Sequence, residues 1–307
     1  MDLSANICGL KIDPAWMNAS GVLSQPPIIK RICNYDIGAF VTKSIGPRPR
    51  EGFYEPVAYN DGKITLNAFG LANPGVEETR EELKEIYPLN KPLIASIFGE
   101  NEEELVYVAT RIEDYCDAIE LNYGCPNKTK DEKLGMTIGT NPDLVRAYTR
   151  AVKDKVKKPV GVKLTPNVSD IGFIAKAAEQ GGADFISAIN TVAPATIIEP
   201  YSGKPVLSNK AGGLSGPSVK PVGIAAVRKI YGSVKIPTVG GGGIEKARDV
   251  IEYFAAGASC VFIGSAVANK STEKVGKYFS GLKNDLERIL EEMNVNKLGY
   301  MTGGFDA

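Results

Sequence analysis

The chain of 307 residues contains no histidine, which removes Ser-His-Asp triads, imidazole general bases and histidine-ligated metals together. Its five cysteines (Cys8, Cys33, Cys116, Cys125 and Cys260) are odd in number, scattered and without a CxxC pair. Neither a disulfide framework nor a zinc or iron–sulfur site is expected from them. There is no charge of one sign in excess: 36 Lys+Arg stand against 36 Asp+Glu, so there is no basic excess to neutralise the phosphates of a nucleic acid. Long apolar runs are missing too. The most apolar tract, Phe254 to Ala268, is broken by Gly257, Ser259, Gly264 and Ser265. The first residues lack a basic segment followed by an apolar one, so neither a signal peptide nor a membrane span is expected, and the cytoplasm is the expected compartment. Proton transfer is left to Cys, Lys, Tyr, Asp or Glu.

What is present is ordinary globular material, 43% apolar and 23% charged, enough for a large core. Short β-branched or apolar runs alternate with amphipathic segments, the pattern of βα units on a parallel sheet. Strands are expected near Trp16–Ala19, Ala39–Lys43, Leu93–Ile97, Ala118–Asn122, Val160–Leu164, Phe185–Asn190, Thr238–Gly240 and Cys260–Ile263. Eight such units predict an α/β fold, a closed (β/α)8 TIM barrel. Helix ends agree: Asn101 with Glu104 reads as a capping box, Asn141 precedes Pro142, and Ser169 stands as cap of a helix reaching Ala178. The last helix places Val275, Tyr278, Phe279, Leu282, Leu286, Ile289, Leu290 and Met293 on one face. Three connections, 44–76, 123–140 and 191–218, are long and all follow strands. With no linker to divide it, the chain reads as one domain over 1–307, with long loops at the C-terminal face of the barrel.

Barrel enzymes carry their chemistry where the strands end, and polar residues gather there: Asn18-Ala-Ser-Gly, Thr42-Lys-Ser44, Ala95-Ser96, Glu120-Leu-Asn122, Val162-Lys163, Ile189-Asn-Thr191, Gly240 to Gly243, and Ile263-Gly-Ser265. Glycines after strands seven and eight let backbone amides approach a phosphate, in the place where barrels bind one; a plain tight turn is the alternative. Lys43 and Lys163 end strands two and five, each facing an anion, or, for Lys163, forming a Schiff base as in class I aldolases. Cys125 lies on the loop beyond strand four. Without histidine it is the best candidate base, since a cation or a dry site can tune a thiol for that work, whereas the other four cysteines read as small buried hydrophobes. The charged segment 126–140 reads as a flap or as a plain solvated loop, and Asn67 to Pro74, with Phe69 and Leu71, as a pocket wall or a turn.

Taken together, these stretches resemble a known family over nearly the whole chain, the dihydroorotate dehydrogenases, which are FMN-containing (β/α)8 barrels of pyrimidine biosynthesis. The motifs that carry it are Asn18-Ala-Ser-Gly21, Thr42-Lys-Ser44, Leu66-Asn-Ala-Phe-Gly-Leu-Ala-Asn-Pro-Gly75, Glu120-Leu-Asn-Tyr-Gly-Cys-Pro-Asn127, Gly161-Val-Lys-Leu164, Ile189-Asn-Thr191, Gly212-Gly-Leu-Ser-Gly216, Gly240 to Ile244 and Ile263-Gly-Ser-Ala266. The resemblance implies FMN held by Ala19, Ser20, Lys43, Ser44, Ser96, Asn122, Lys163, Ile189, Gly216, Gly242, Gly243, Gly264 and Ser265, the glycines and Ser265 taking its phosphate. It implies dihydroorotate between Lys43, Asn67, Phe69, Gly70, Leu71, Asn122, Asn127, Asn190 and Thr191.

Cys125 falls at the family's base position, where cysteine marks the soluble class 1 enzymes and serine the membrane-associated class 2. By that likeness it removes the C5 proton while hydride passes from C6 to the flavin, and Lys163 stabilises the reduced ring. Gly124 departs from the serine more usual before the cysteine. The strings 66–75 and 134–139 are similar to class 1B, which implies a homodimeric core and an FAD and iron–sulfur partner subunit passing electrons to NAD. A class 1A enzyme using fumarate, and a flavin barrel acting on another pyrimidine, are the nearest rivals.

Overall fold

Hydrophobic strands with few polar positions cannot stand alone in water, and here they pair side by side and curl until the sheet meets itself. The computed structural model describes residues 1–126 and 134–304. Eight parallel strands form one sheet: β1 Trp16–Asn18, β2 Phe40–Val41, β3 Leu93–Ile97, β4 Ala118–Asn122, β5 Val160–Leu164, β6 Phe185–Ala188, β7 Thr238–Gly241 and β8 Cys260–Ile263. They run in chain order from β2 through β8, and β8 then pairs with β1. The seam between β1 and β2 has little ladder, a bridge of Met17 with Ala39. The side chain of Asn18 supplies the missing bonds: its amide nitrogen donates to the carbonyls of Val41 and Val22, each at 2.8 Å, and its oxygen accepts from Val41 N at 2.8 Å. Asn18 is fully buried, and such a residue is stable in a core because nearly all its hydrogen-bonding capacity is used.

The helices follow the expected order: α1 Pro26–Ile32, α2 Val76–Lys84, α3 Glu102–Ile112, α4 Pro142–Lys153, α5 Ile171–Gln180, α6 Lys220–Tyr231, α7 Ala247–Ala255 and α8 Thr272–Glu292. Their apolar stripes and the outward faces of the strands make the main core. A separate apolar cluster, Met17, Val41, Ile94, Ala118, Phe185, Val239 and Phe262 among others, fills the barrel interior. It is closed from below by the N-terminal hairpin Ala5–Ile7/Leu10–Ile12, which adds Ile7 and Ile12.

Some expectations need correction. Asp170, not Ser169, caps α5, accepting from Gly172 N and Phe173 N, because its carboxylate lies one residue nearer the first turn. Asn101 does cap α3, but Glu104 returns to the N–H of Glu100 and not to Asn101, so the reciprocal half of the box is shifted. Met293 is the C-cap of α8 and is exposed. The strands also stop sooner than expected: β2 ends at Val41 and β6 at Ala188, so Lys43, Asn190 and Thr191 stand on the loops just above the barrel rim.

Two of the long connections are more than loops. Segments Ala58–Asn60 and Thr65–Asn67, after β2, pair with Val192–Ala195 and Gly212–Ser215, after β6, in a four-stranded antiparallel sheet. Asn67 lies opposite Gly213 in that register, which carries an amide side chain from the second βα unit across the mouth to meet those from the sixth.

Candidate active site

The rim of β1 to β4 is tied by short hydroxyls. Ser20 Oγ donates to the Thr42 carbonyl at 2.8 Å and lies 3.2 Å from Ser44 Oγ, which is 3.0 Å from Ser96 Oγ. Asn122 Nδ2 donates to Ser44 Oγ at 2.9 Å, while Asn190 Nδ2 donates to Asn122 Oδ1 at 3.3 Å. One network thus joins the ends of five strands and fixes the asparagine faces that turn upward.

Above it lie two adjoining cavities, concave and lined by both polar and apolar side chains as small-molecule sites are. They share Ser20, Val22, Asn67, Lys163, Asn190 and Thr191 along their common wall. The first is completed by Lys43, Ser44, Phe69, Gly70, Leu71, Asn122 and Cys125. The second runs out to Ala19, Ile189, Gly242, Gly243, Gly264 and Ser265. Nearly all the residues nominated from sequence therefore converge. The exceptions are informative. Ser96 is buried behind Ser44 and reaches neither cavity, and Gly216 borders a neighbouring depression that also touches Ser265. Asn127, with residues 128–133 of the segment nominated as a flap, lies outside the described residues. Val22, Leu214, Ser215, Val219, Ile244 and Phe262 line the cavities although the sequence does not nominate them; Leu214, Ser215 and Ile244 belong to the quoted motifs, whereas Val22, Val219 and Phe262 leave no signal distinct from core.

The glycine end has the form of a phosphate cradle. Gly243 has φ +75, and a Cβ there would fall 2.8 Å from the Gly216 carbonyl and 2.9 Å from Lys220 N; only glycine fits both the torsion and the space. Among the described residues the backbone N–H groups of Gly243, Gly264 and Ser265 donate no hydrogen bond. The turn is held from behind by the buried Tyr253, whose hydroxyl donates to the Gly242 carbonyl at 2.7 Å. Asp249 accepts from Glu245 N and Lys246 N and pairs with Lys220 at 2.6 Å. FMN, with one phosphate, suits this donor set.

At the other end Cys125 is buried with Leu71, Phe98 and Leu134, and its carbonyl accepts from Met136 N at 2.9 Å. Lys43 Nζ lies 4.9 Å from the centroid of Phe69. Burial pulls the Lys43 ammonium below its ordinary value, and the charge of Cys125 works the other way, so cation and thiol are electrostatic neighbours. Lys163, almost fully buried, packs its ammonium 4.0 Å from the centroid of Phe262 and is likewise pulled down by burial, against the charge of Glu120. Neither lysine makes an ion pair among the described residues, and the Thr191 hydroxyl is buried there without a partner. Two lysines, a thiol and a row of amides around a half-open space suit a planar, polar, anionic substrate.

Gly124, where the family more usually has serine, has a local reason. A Cβ at this position would come within 2.6 Å of Asn190 Cβ and 2.8 Å of its Nδ2; the space a serine would take is filled by the Asn190 side chain.

Barrel and cradle together are those of a mononucleotide-binding (β/α)8 barrel. Residues 2–290 match the family model described as dihydroorotate dehydrogenase, and the chain belongs to that family. It is 44% identical over 292 residues to the protein of Methanocella arvoryzae named dihydroorotate dehydrogenase B (NAD(+)), catalytic subunit, with 94% of each chain covered. The proteins of the same name from Pyrococcus abyssi, 44% identical with 98% of each chain covered, and from Methanocaldococcus jannaschii, 44% identical with 95% of each covered, are similar over the same span. No helix among the described residues is long and apolar enough to cross a membrane.

Proposed function

We propose that residues 1–307 form one catalytic domain that oxidises dihydroorotate to orotate in pyrimidine biosynthesis, as the FMN-bearing subunit of a class 1B enzyme. Its electrons pass to NAD through a partner subunit holding FAD and an iron–sulfur cluster, and the assembly is built on a homodimer in the cytoplasm. The observation that carries the reading is the continuity of the cradle at Gly243, Gly264 and Ser265 with a cavity where Lys43 and Cys125 stand together.

Bound FMN supplies the hydride acceptor. The chain does the rest. The free N–H groups of the cradle hold the phosphate, while Asn67, Asn122, Asn190 and Thr191 offer donors and acceptors to a pyrimidine ring and its substituents. Lys43 draws the substrate carboxylate, and its charge favours the thiolate form of Cys125, which takes the substrate proton. Lys163 offers positive charge where negative charge grows on reduction. A Schiff base at Lys163 is disfavoured because its nitrogen is packed on Phe262.

The test is anaerobic addition of dihydroorotate to the purified yellow protein. Loss of flavin absorbance with release of orotate is expected, and dihydrouracil, which lacks the carboxylate, should bleach it far more slowly. Equal bleaching by both would sink the assignment of substrate.

A further inference from the structure

Glu120 is a buried carboxylate to which the proposed reaction gives no task. It stands on β4, 3% exposed and level with Gly161 of β5. One of its oxygens accepts from Ser187 Oγ on β6 at 2.6 Å, so the side chain spans from β4 to β6 past the strand between them. At that level β5 carries no side chain, and the ring of Phe185 lies where a Cβ of Gly161 would be. The next residue of β5 on the same face is Lys163, level with Ser187. Its stem therefore rises from the β5 position that the Glu120–Ser187 bridge spans, toward both cavities and the face of Phe262.

The second oxygen of Glu120 is buried without a hydrogen-bond partner among the described residues. A carboxylate held by one hydrogen bond in a dry interior persists where a cation balances it. The charge that acts on Lys163 is that of Glu120; the other titratable groups lining its cavity are Lys43 above β2 and Cys125 above β4, while Ser187 of β6 and Phe262 of β8 bring none. The charge of Glu120 acts on Lys163 and opposes the burial that favours a neutral amine.

We infer that Glu120, fixed by Ser187, is a positioning residue that keeps Lys163 protonated at the cavity wall and so sets the pH range over which bound FMN holds its reduction potential. This rests on the flavin reading of the two cavities. It extends that reading to a residue that touches neither cofactor nor substrate.

The experiment is the midpoint potential of bound FMN against pH, without dihydroorotate. Where Lys163 has lost its proton in the oxidised protein, reduction takes up one more proton and the plot steepens. In Glu120→Gln that break should fall by about 1–3 pH units, the usual effect of losing a close opposite charge. Glu120→Asp should restore most of it, Ser187→Ala should move it less, and Lys163→Met should lack it. Ser187→Ala carries the test if the glutamine variant does not fold. Superimposed plots for parent and Glu120→Gln from about pH 6 to 10, with FMN content and melting temperature unchanged, would overturn the inference. A parent that does not bleach with dihydroorotate, but whose break moves on substitution, would sink the assigned reaction and leave this role standing.

Discussion

A Cβ on Gly124 would lie 2.6 Å from the Cβ of Asn190, so the conformation of one loop asparagine depends on the missing side chain of a residue on another loop. Asn190 then bonds Asn122 at 3.3 Å and, through its oxygen, accepts from Thr191 N at 2.8 Å. The wall of the cavity is set by this exclusion. Gly124→Ser should push Asn190 out of place and raise KM for dihydroorotate by about 3–10-fold, the worth of a hydrogen bond of roughly 0.5–1.5 kcal/mol, with FMN content unchanged. Steady-state kinetics beside flavin absorbance checks both halves, and an unchanged KM would show that Asn190 does not bind substrate.

Cys125 should govern proton removal and little else. Cys125→Ala should keep FMN and still shift the flavin spectrum with orotate, but its reductive half-reaction should slow by about 10²–10⁴-fold, the usual worth of a general base. Cys125→Ser should retain some rate, rising with pH. Stopped-flow flavin reduction is the measurement; a parent-like rate in the alanine variant would make the thiol a structural residue of its cluster with Leu71, Phe98 and Leu134.

The cradle is legible in the sequence because glycine is readable one letter at a time: a run after one strand and a Gly-Ser after the next suffice. Lys43, Lys163 and Cys125 are legible for a related reason, polar residues at the ends of apolar runs. What stays hidden depends on pairings between distant segments. Nothing in Thr65–Asn67 announces that it will pair with Gly212–Ser215, since the strands are three and four residues long. The Glu120–Ser187 bond is equally silent because it joins strands that are not neighbours. Asn18 reads as one more polar strand end, although its work is to close the barrel seam. Asp170 displaces Ser169 as a cap by one position, a margin that pattern alone does not resolve.

Gly243→Val should abolish FMN retention while leaving the barrel folded. The side chain would be forced to φ +75 and into the Gly216 carbonyl, yet the residue belongs to a rim turn and not to the core. Tyr253→Phe is the milder version. It removes the hydrogen bond that holds the Gly242 carbonyl, and should weaken FMN binding by about 3–10-fold. Fluorescence titration of apoprotein with FMN, with circular dichroism as the folding control, distinguishes loss of the cradle from loss of the fold.

Lys43 predicts a pH dependence of ligand binding. Burial holds its ammonium below the ordinary 10.5, and the charged form is the one that attracts a carboxylate. Orotate affinity should therefore be full at neutral pH and fall as pH rises through the lowered value, sooner than for a free lysine. Lys43→Arg keeps its charge throughout this range and should flatten the alkaline limb, even if affinity is lower overall. Titration of the orotate-induced flavin spectrum from about pH 7 to 10 tests it; parallel curves for parent and arginine variant would assign the titration elsewhere.

The isolated chain should be a poor NAD-reducing enzyme. On the proposed reading dihydroorotate takes the cavity of Lys43 and Cys125 and the phosphate of FMN takes the glycine cradle, which leaves neither of these two places for NAD. Nor do they hold a cluster of Cys, Asp or Glu that could bind metal, and the cysteines stand singly, which gives no relay for electrons. Electrons must leave through a docked partner or through a small acceptor that replaces orotate in the same cavity. Turnover with dihydroorotate should accordingly be rapid with an artificial dye, and slow with NAD until the partner subunit is added back. Efficient reduction of fumarate by the chain alone would move it to class 1A, because that acceptor needs only the substrate cavity. Efficient reduction of NAD by the chain alone would remove the need for a partner and with it the class 1B assignment.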